Sequence, residues 1–194
     1  MAEQTAMSQF EILLSGIGGQ GIQLMAKTLA LAATAAGKEV MMSASYGAEI
    51  RGGHSDASVC IADSGLDALP ILPSAGHAIV MHRMSWDSVS ARLRDDALAV
   101  VNTNALAGAE LAGGRVLGFA ADDIAVGLGS PGAASFVALA AFASVTGLVQ
   151  CTDLIVAMRR LVPPYRSNLI ASNEAALEAG FAAGQALSTG TAAT

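Results

Sequence analysis

Cysteine, aromatic residues and positive charge are all scarce in this 194-residue chain, and each scarcity removes a class of protein. Only Cys60 and Cys151 carry thiols, far apart in sequence and in apolar surroundings, so no disulfide framework, zinc site or iron-sulfur ligand set can be assembled from cysteine. Ten Lys+Arg against sixteen Asp+Glu give a net charge of -6, which opposes the phosphate neutralisation that nucleic-acid binding depends on. No nucleic-acid partner is expected. Aromatics make up 4 % of residues, so the interior must be built from small side chains. The opening MAEQTAMSQ has an acid, no basic residue and no apolar segment of signal-peptide type behind it, which reads as a cytoplasmic protein.

Hydrophobicity, by contrast, is abundant. Mean hydropathy is +0.53, and no charged side chain occurs between Asp123 and Asp153. A membrane span needs about 20 consecutive strongly apolar residues. Ser130, Pro131 and Gly132 interrupt this run and Gly147 interrupts it again, leaving AASFVALAAFASVT, which is too short and too rich in Ala, Ser and Thr. A buried helix is expected there, its small side chains allowing another helix or a subunit to approach closely.

The order of signals along the chain is that of an α/β protein, with a single Rossmann-like domain over residues 1–194, a core of about 9–186, and a mainly parallel sheet flanked by helices. FEILLS (Phe10 to Ser15) reads as a strand ending at a glycine cluster, Gly21 to Ala36 as a helix, and EVMMSA (Glu39 to Ala44) as the next strand, making a β-α-β unit. Further strands are expected at Ala57 to Ala62, Ala78 to Met81, Asp96 to Asn102 and Arg115 to Ala120, with a helix over SWDSVSARLR. Ser130-Pro131 and Thr152-Asp153 read as helix starts, Pro163-Pro164 as a stop, and ASNEAALEAGFAAGQAL as a last helix.

Gly16, Gly18 and Gly21 satisfy G-x-G-x-x-G between strand and helix, a context in which free backbone N-H groups at the helix start face an anion. A dinucleotide site also needs an acid at the end of the second strand to hold a ribose hydroxyl. Val40 to Ala44 contains none, and Glu49 comes too late. A turn that only packs helix on sheet remains the plain alternative.

Taken together, GIGGQG (Gly16 to Gly21) and SYGAEIRGG (Ser45 to Gly53) resemble the gamma subunit, or domain III, of the 2-oxoacid:ferredoxin oxidoreductases. The likeness extends through the strand after RGG, the segment near Pro70 and Pro73, and an Asn-x-x-Ala-x-x-x-Gly pattern at Asn173, Ala176 and Gly180. The resemblance implies a subunit of a complex that converts a 2-oxoacid to acyl-coenzyme A and CO2. It places thiamine diphosphate, magnesium and 4Fe-4S clusters in alpha, beta and ferredoxin-like delta partner subunits. Electrons would leave to ferredoxin, or to NAD through a flavin subunit. This chain would hold no metal, contribute no catalytic residue, and help to bind coenzyme A and close over the thiamine site.

On that reading the ligand-facing residues are Gly18, Gly19, Gln20 and Gly21 in the first loop and Ser45, Tyr46, Gly47, Glu49, Arg51, Gly52 and Gly53 in the second. The backbone amides and the Gln20 amide would face a phosphate or a neighbouring subunit, and the Arg51 fork suits phosphate or carboxylate. An Arg51-Glu49 ion pair would instead make the loop a structural latch. Two rivals are a stand-alone NAD(P)-dependent dehydrogenase and a purely structural assembly subunit. Elsewhere the plainer roles are expected: solvation for His54, packing for Trp86, core positions for Met41 and Met42, and helix capping for Asp122 and Asp123. No metal role is expected of His77 and His82. The stretch GSPGAASFVALAAF departs from the family pattern, and its uncharged helix is read as a sign of obligate assembly and of poor solubility for the isolated chain.

Overall fold

The computed structural model describes residues 9–46, 53–66, 71–103, 110 and 113–190, with the side chains at 45, 46, 189 and 190 left aside. Six strands form one sheet: β1 (Gln9–Ile17), β2 (Glu39–Tyr46), β3 (His54–Ala62), β4 (Ala75–Val80), β5 (Leu93–Asn102) and β6 (Arg115–Phe119). Their order is β2-β3-β1-β4-β5-β6. β3 runs antiparallel to both of its neighbours, while β1, β4, β5 and β6 are parallel. The expected α/β, mainly parallel architecture is what forms.

The expected β-α-β unit is altered in one respect. α1 (Ile22–Ala35) does link β1 to β2, but β3 folds back between them. Antiparallel pairing with β2 on one side and β1 on the other satisfies both of β3's edges, and neither strand's local pattern encodes this order. Boundaries move as well. The helix α2 covers only Trp86–Ser90, and β5 begins at Leu93 rather than Asp96.

The two faces of the sheet are covered unequally. Ile12, Leu14, Val59, Ile61, Ile79 and Val100 pack toward α1 and the helices of the C-terminal half. These are α3 (Ala121–Gly127), α4 (Ala134–Thr146), α5 (Cys151–Leu161) and α6 (Ile170–Gly190). Among the described residues the opposite face, with Leu13, Cys60, Val80, Ala99 and Val101, meets α2, Leu66, Leu72 and Leu93, and Trp86 packs there as expected. Met42 packs on the better-covered side, but Met41 is 41 % exposed, which corrects its assignment to the core. Alternation along an edge strand turns the two methionines to opposite faces.

Every residue of α4 from Ala134 to Ala143 is buried, so the uncharged run is a core helix. Its covering element is α6, whose Gly180 and Gly184 lie against the α4 backbone: a Cβ on Gly180 would overlap the Val137 carbonyl, and one on Gly184 would stand 2.6 Å from the Ala141 carbonyl. The apolar surface is thereby spent inside the chain, and the helix is no longer an argument for obligate assembly. The family-like Asn173, Ala176 and Gly180 all lie on this α6 face, buried.

Two caps differ from expectation. Asp122 and Asp123 sit inside the first turn of α3, and the cap comes from β5: Asn102 Oδ1 accepts from Ala121 N at 3.2 Å, while Asn102 Nδ2 donates to Asp122 Oδ2 at 2.8 Å. α5 starts one residue before Thr152, through a capping box between Gln150 and Asp153.

His77 on β4 lies between the rings of Phe10, at 4.9 Å, and Phe142, at 5.9 Å. Burial lowers its pKa from 6.5, the Arg94 charge adds to the effect, and Asp96 and Glu11 oppose it. The folded state therefore binds this proton less readily than the unfolded chain, which gains it as pH falls through about 6.5. Urea unfolding should show stability level above that pH and declining below it, and His77→Phe should remove this part of the acid-side slope.

Candidate functional site

Three chain segments meet at one end of the sheet. In the register, Gly16 pairs with Ser55 and Ile17 with His54, while Ser45 and Tyr46 of β2 pair with Asp56 and Ser55. The carboxyl ends of β1 and β2 therefore flank the start of β3. The Gly18 N-H donates to the Gly53 carbonyl at 2.9 Å, joining the first glycine motif to the last residue of the second. In open α/β sheets, ligands bind outside the carboxyl ends of parallel strands.

The turn between β1 and α1 is held from within. The Gln20 side chain folds back, its Oε1 accepting from Ile17 N at 3.0 Å and its Nε2 donating to the Met81 carbonyl at 3.2 Å. Met81 N in turn donates to the Ser15 carbonyl at 2.8 Å. Gly16 makes room for this, since a Cβ there would stand 2.6 Å from Gln20 Oε1. The structure thus gives Gln20 a task the sequence did not suggest: its amide ties the turn to the end of β4. Ser85 reinforces the same place by donating to the Gly16 carbonyl at 3.3 Å.

Two positions in the turn demand glycine. Gly19 has φ of 99° and is exposed, with nothing within 4 Å of where a Cβ would be. Gly21, at φ of 75°, is the N-cap of α1, and a Cβ there would lie 2.9 Å from Ser135 Oγ. Left-handed backbone at both positions turns the chain sharply, so that the first-turn amides of α1, which have no intrahelical acceptor, point out of the sheet's end. No acidic residue occupies that first turn. The arrangement favours an anion.

Of the candidate residues, the structure brings together Gly18, Gly19, Gln20, Gly21 and Gly53, and it places the backbone of Ser45 and Tyr46 at the same end of the sheet, on the far side of β3 from that turn. Gly47, Glu49, Arg51 and Gly52 lie outside the described residues, as do the side chains of Ser45 and Tyr46. His54 is exposed at the start of β3. The residues that sequence reasoning missed are the anchors: Met81, Ser85 and Asp56, the last accepting a hydrogen bond from the Ser15 hydroxyl. All of them act across strands, where no local motif announces them.

The sheet order bears directly on the dinucleotide rival. In a dinucleotide-binding sheet the ribose-binding acid stands on the strand next to β1. Here β3 occupies that place and β2 is two strands away, about 10 Å at ordinary strand spacing.

A protein-family model described as pyruvate ferredoxin/flavodoxin oxidoreductase matches residues 11–183. The chain belongs to that family. The 2-oxoglutarate synthase subunit KorC of Archaeoglobus fulgidus is 29 % identical over 154 residues, covering 79 % of each chain. The keto/oxoacid ferredoxin oxidoreductase gamma subunit of Geobacter sulfurreducens shares the fold with a TM-score of 0.80 and 27 % identity, over 93 % of this chain and 98 % of that one. The 2-oxoglutarate:ferredoxin oxidoreductase of Magnetococcus marinus, solved with 2-oxoglutarate, coenzyme A and succinyl-CoA bound, contains the same fold: TM-score 0.79 and 20 % identity, over 94 % of this chain and 31 % of that one. The resemblance read from GIGGQG and SYGAEIRGG is borne out, and with it the assignment to an oxidoreductase family.

Among the described residues no group of His, Cys, Asp and Glu is placed to hold a metal ion. Cys60 is buried on β3 and Cys151 begins α5, and burial raises the pKa of both thiols. No helix among them is long and apolar enough to cross a membrane.

Proposed function

We propose that this chain is the gamma subunit of a cytoplasmic, multisubunit 2-oxoacid:ferredoxin oxidoreductase, and that its paired glycine loops contact coenzyme A and close over the thiamine diphosphate site of partner subunits. The overall reaction would be coenzyme A-dependent oxidative decarboxylation of a 2-oxoacid to acyl-CoA and CO2. Alpha and beta subunits would hold thiamine diphosphate and magnesium, a ferredoxin-like delta subunit 4Fe-4S clusters, and ferredoxin, or NAD through a flavin subunit, would accept the electrons. Thiamine diphosphate supplies the decarboxylation chemistry when bound in those partners.

The observation that carries the reading is the Gly18-Gly53 hydrogen bond, which holds the last residue of the second family motif against the first at the carboxyl end of β1. The outward amides of the α1 start suit a phosphate there. The residues of this chain bind and orient: Gly19 and Gly21 through backbone N-H groups, and Arg51, six positions after Ser45, through its charge. Gln20 keeps the turn rigid, so little ordering is left for the moment of binding.

Arg51→Ala in the assembled enzyme is the direct test. Loss of a charged hydrogen bond of about 1.5–3 kcal/mol should raise the KM for coenzyme A by roughly 10- to 100-fold. Wild-type KM and turnover would favour a purely structural subunit. Purification of the native complex, with its chains identified and its thiamine, iron and sulfide measured, checks the assembly itself, and a chain isolated without them would overturn the proposal.

A further inference from the structure

The thinly covered face of the sheet contains a cavity of about 410 Å³ beside β1, β2 and β3, roofed by Leu72 and by α2. That volume is in the range of small-molecule sites. Hydroxyls from Ser15, Ser43, Ser58 and Ser88 line it together with two charged side chains, Asp56 and Arg92. The charges differ in origin as well as sign. Asp56 stands on β3 and accepts from the buried Ser15 hydroxyl, whereas Arg92 lies between α2 and β5 and donates through Nη2 to the Leu72 carbonyl at 2.6 Å.

Asp56 and Arg92 line one cavity without forming an ion pair, and no carboxylate of the described residues lies within 4 Å of Arg92. One guanidinium nitrogen holds the roof, which leaves the remaining N-H groups of the fork for an acceptor. The Asp56 carboxylate can only accept. The cavity therefore offers both a cation and a hydrogen-bond acceptor, together with the Ser15 and Ser88 hydroxyls, whose protons are committed to Asp56 and to the Ser85 carbonyl and which can still accept.

We infer that this cavity binds a small amino or hydroxy carboxylic acid, with the carboxylate on Arg92 and the amine or hydroxyl donating to Asp56. Simple anions fit less well. Inorganic phosphate would satisfy Arg92 but offer Asp56 mainly repulsion, and a 2-oxoacid has no donor at the second position. The inference is independent of the coenzyme A reading, because it concerns binding by this chain's own cavity and not turnover of an assembled enzyme.

The test is calorimetric titration of the full chain with glycine, L-serine, L-glutamine, L-lactate, pyruvate and inorganic phosphate, supported by thermal-shift measurements. At least one amino or hydroxy acid should bind saturably at one site, about tenfold or more tighter than pyruvate and phosphate. Amino acids binding where L-lactate does not would identify the amine as the partner of Asp56, and the reverse would identify the hydroxyl. Arg92→Gln should weaken binding about tenfold or more, and Asp56→Asn should erase the preference over pyruvate. Because Arg92→Gln also removes the guanidinium that holds the Leu72 carbonyl, and Asp56→Asn replaces a charged acceptor of the Ser15 hydroxyl with a neutral one, Ser43→Phe on the edge strand serves as a second probe: it should fill the cavity and abolish binding while leaving the urea-unfolding midpoint near wild type. Absence of saturable binding by every probe, equal binding of pyruvate and L-lactate with no amino acid bound, or undiminished binding by Ser43→Phe would each overturn the inference.

Discussion

Gly180→Ala should destabilise the chain by about 1–3 kcal/mol, although alanine is the better helix former by about 1 kcal/mol. The added methyl would collide with the Val137 carbonyl, which is backbone and cannot rotate away. Relief requires α4 and α6 to separate, and α4 is buried from Ala134 to Ala143. Gly180→Leu should cost more than about 4 kcal/mol, since the side chain has no space at all. Gly127 in α3 supplies the control: nothing lies within 4 Å of its Cβ position and its φ is not positive, so Gly127→Ala should be neutral or stabilising by up to about 1 kcal/mol. Urea unfolding of the three variants measures this. Equal effects of alanine at 180 and 127 would refute close helix contact as the reason for Gly180.

Gly21→Val is expected to have the second large effect, about 2–4 kcal/mol of stability together with loss of acyl-CoA formation by the assembled enzyme. A β-branched residue at φ of 75° is strained, and its Cβ would press on Ser135 Oγ at 2.9 Å. Shifting the start of α1 would also misdirect the amides proposed to face the coenzyme A phosphate. Gly19→Ala separates these contributions. It carries the left-handed strain, at φ of 99°, but has open space around it. It should cost about 1–2 kcal/mol and leave the α1 start in place. If Gly21→Val and Gly19→Ala were equally stable and equally active, packing against Ser135 would have no part in shaping the turn.

The glycine turn, the helix after it and the uncharged core helix could all be read from the chain, because each depends on interactions within a few residues: backbone conformations open only to glycine, apolar spacing, and interruption by Pro and Gly. The family, too, was legible, in two short motifs whose separation survives in GIGGQG and SYGAEIRGG. Other features were not. Asp122 looked like a cap because acids favour helix starts, but the α3 amide is met by Asn102 from β5. Gln20 looked free to meet a ligand, but Met81, sixty-one residues on, takes its amide. Met41 and Met42 are the same residue type side by side, and only the position of β2 at the sheet edge decides which of them is covered.

Local chemistry along the chain was thus enough to identify the α/β class, the family and a glycine turn between β1 and α1. Which surfaces that turn would stand beside was left to long-range pairing. The insertion of antiparallel β3 between β1 and β2 brings Gly53 to Gly18 and moves β2 away from the dinucleotide position. The docking of α6 on α4 consumes the apolar surface that had suggested a partner. Both outcomes are settled by the free energy of assembling the whole core, to which distant residues contribute as much as neighbours, and no window of sequence contains that sum.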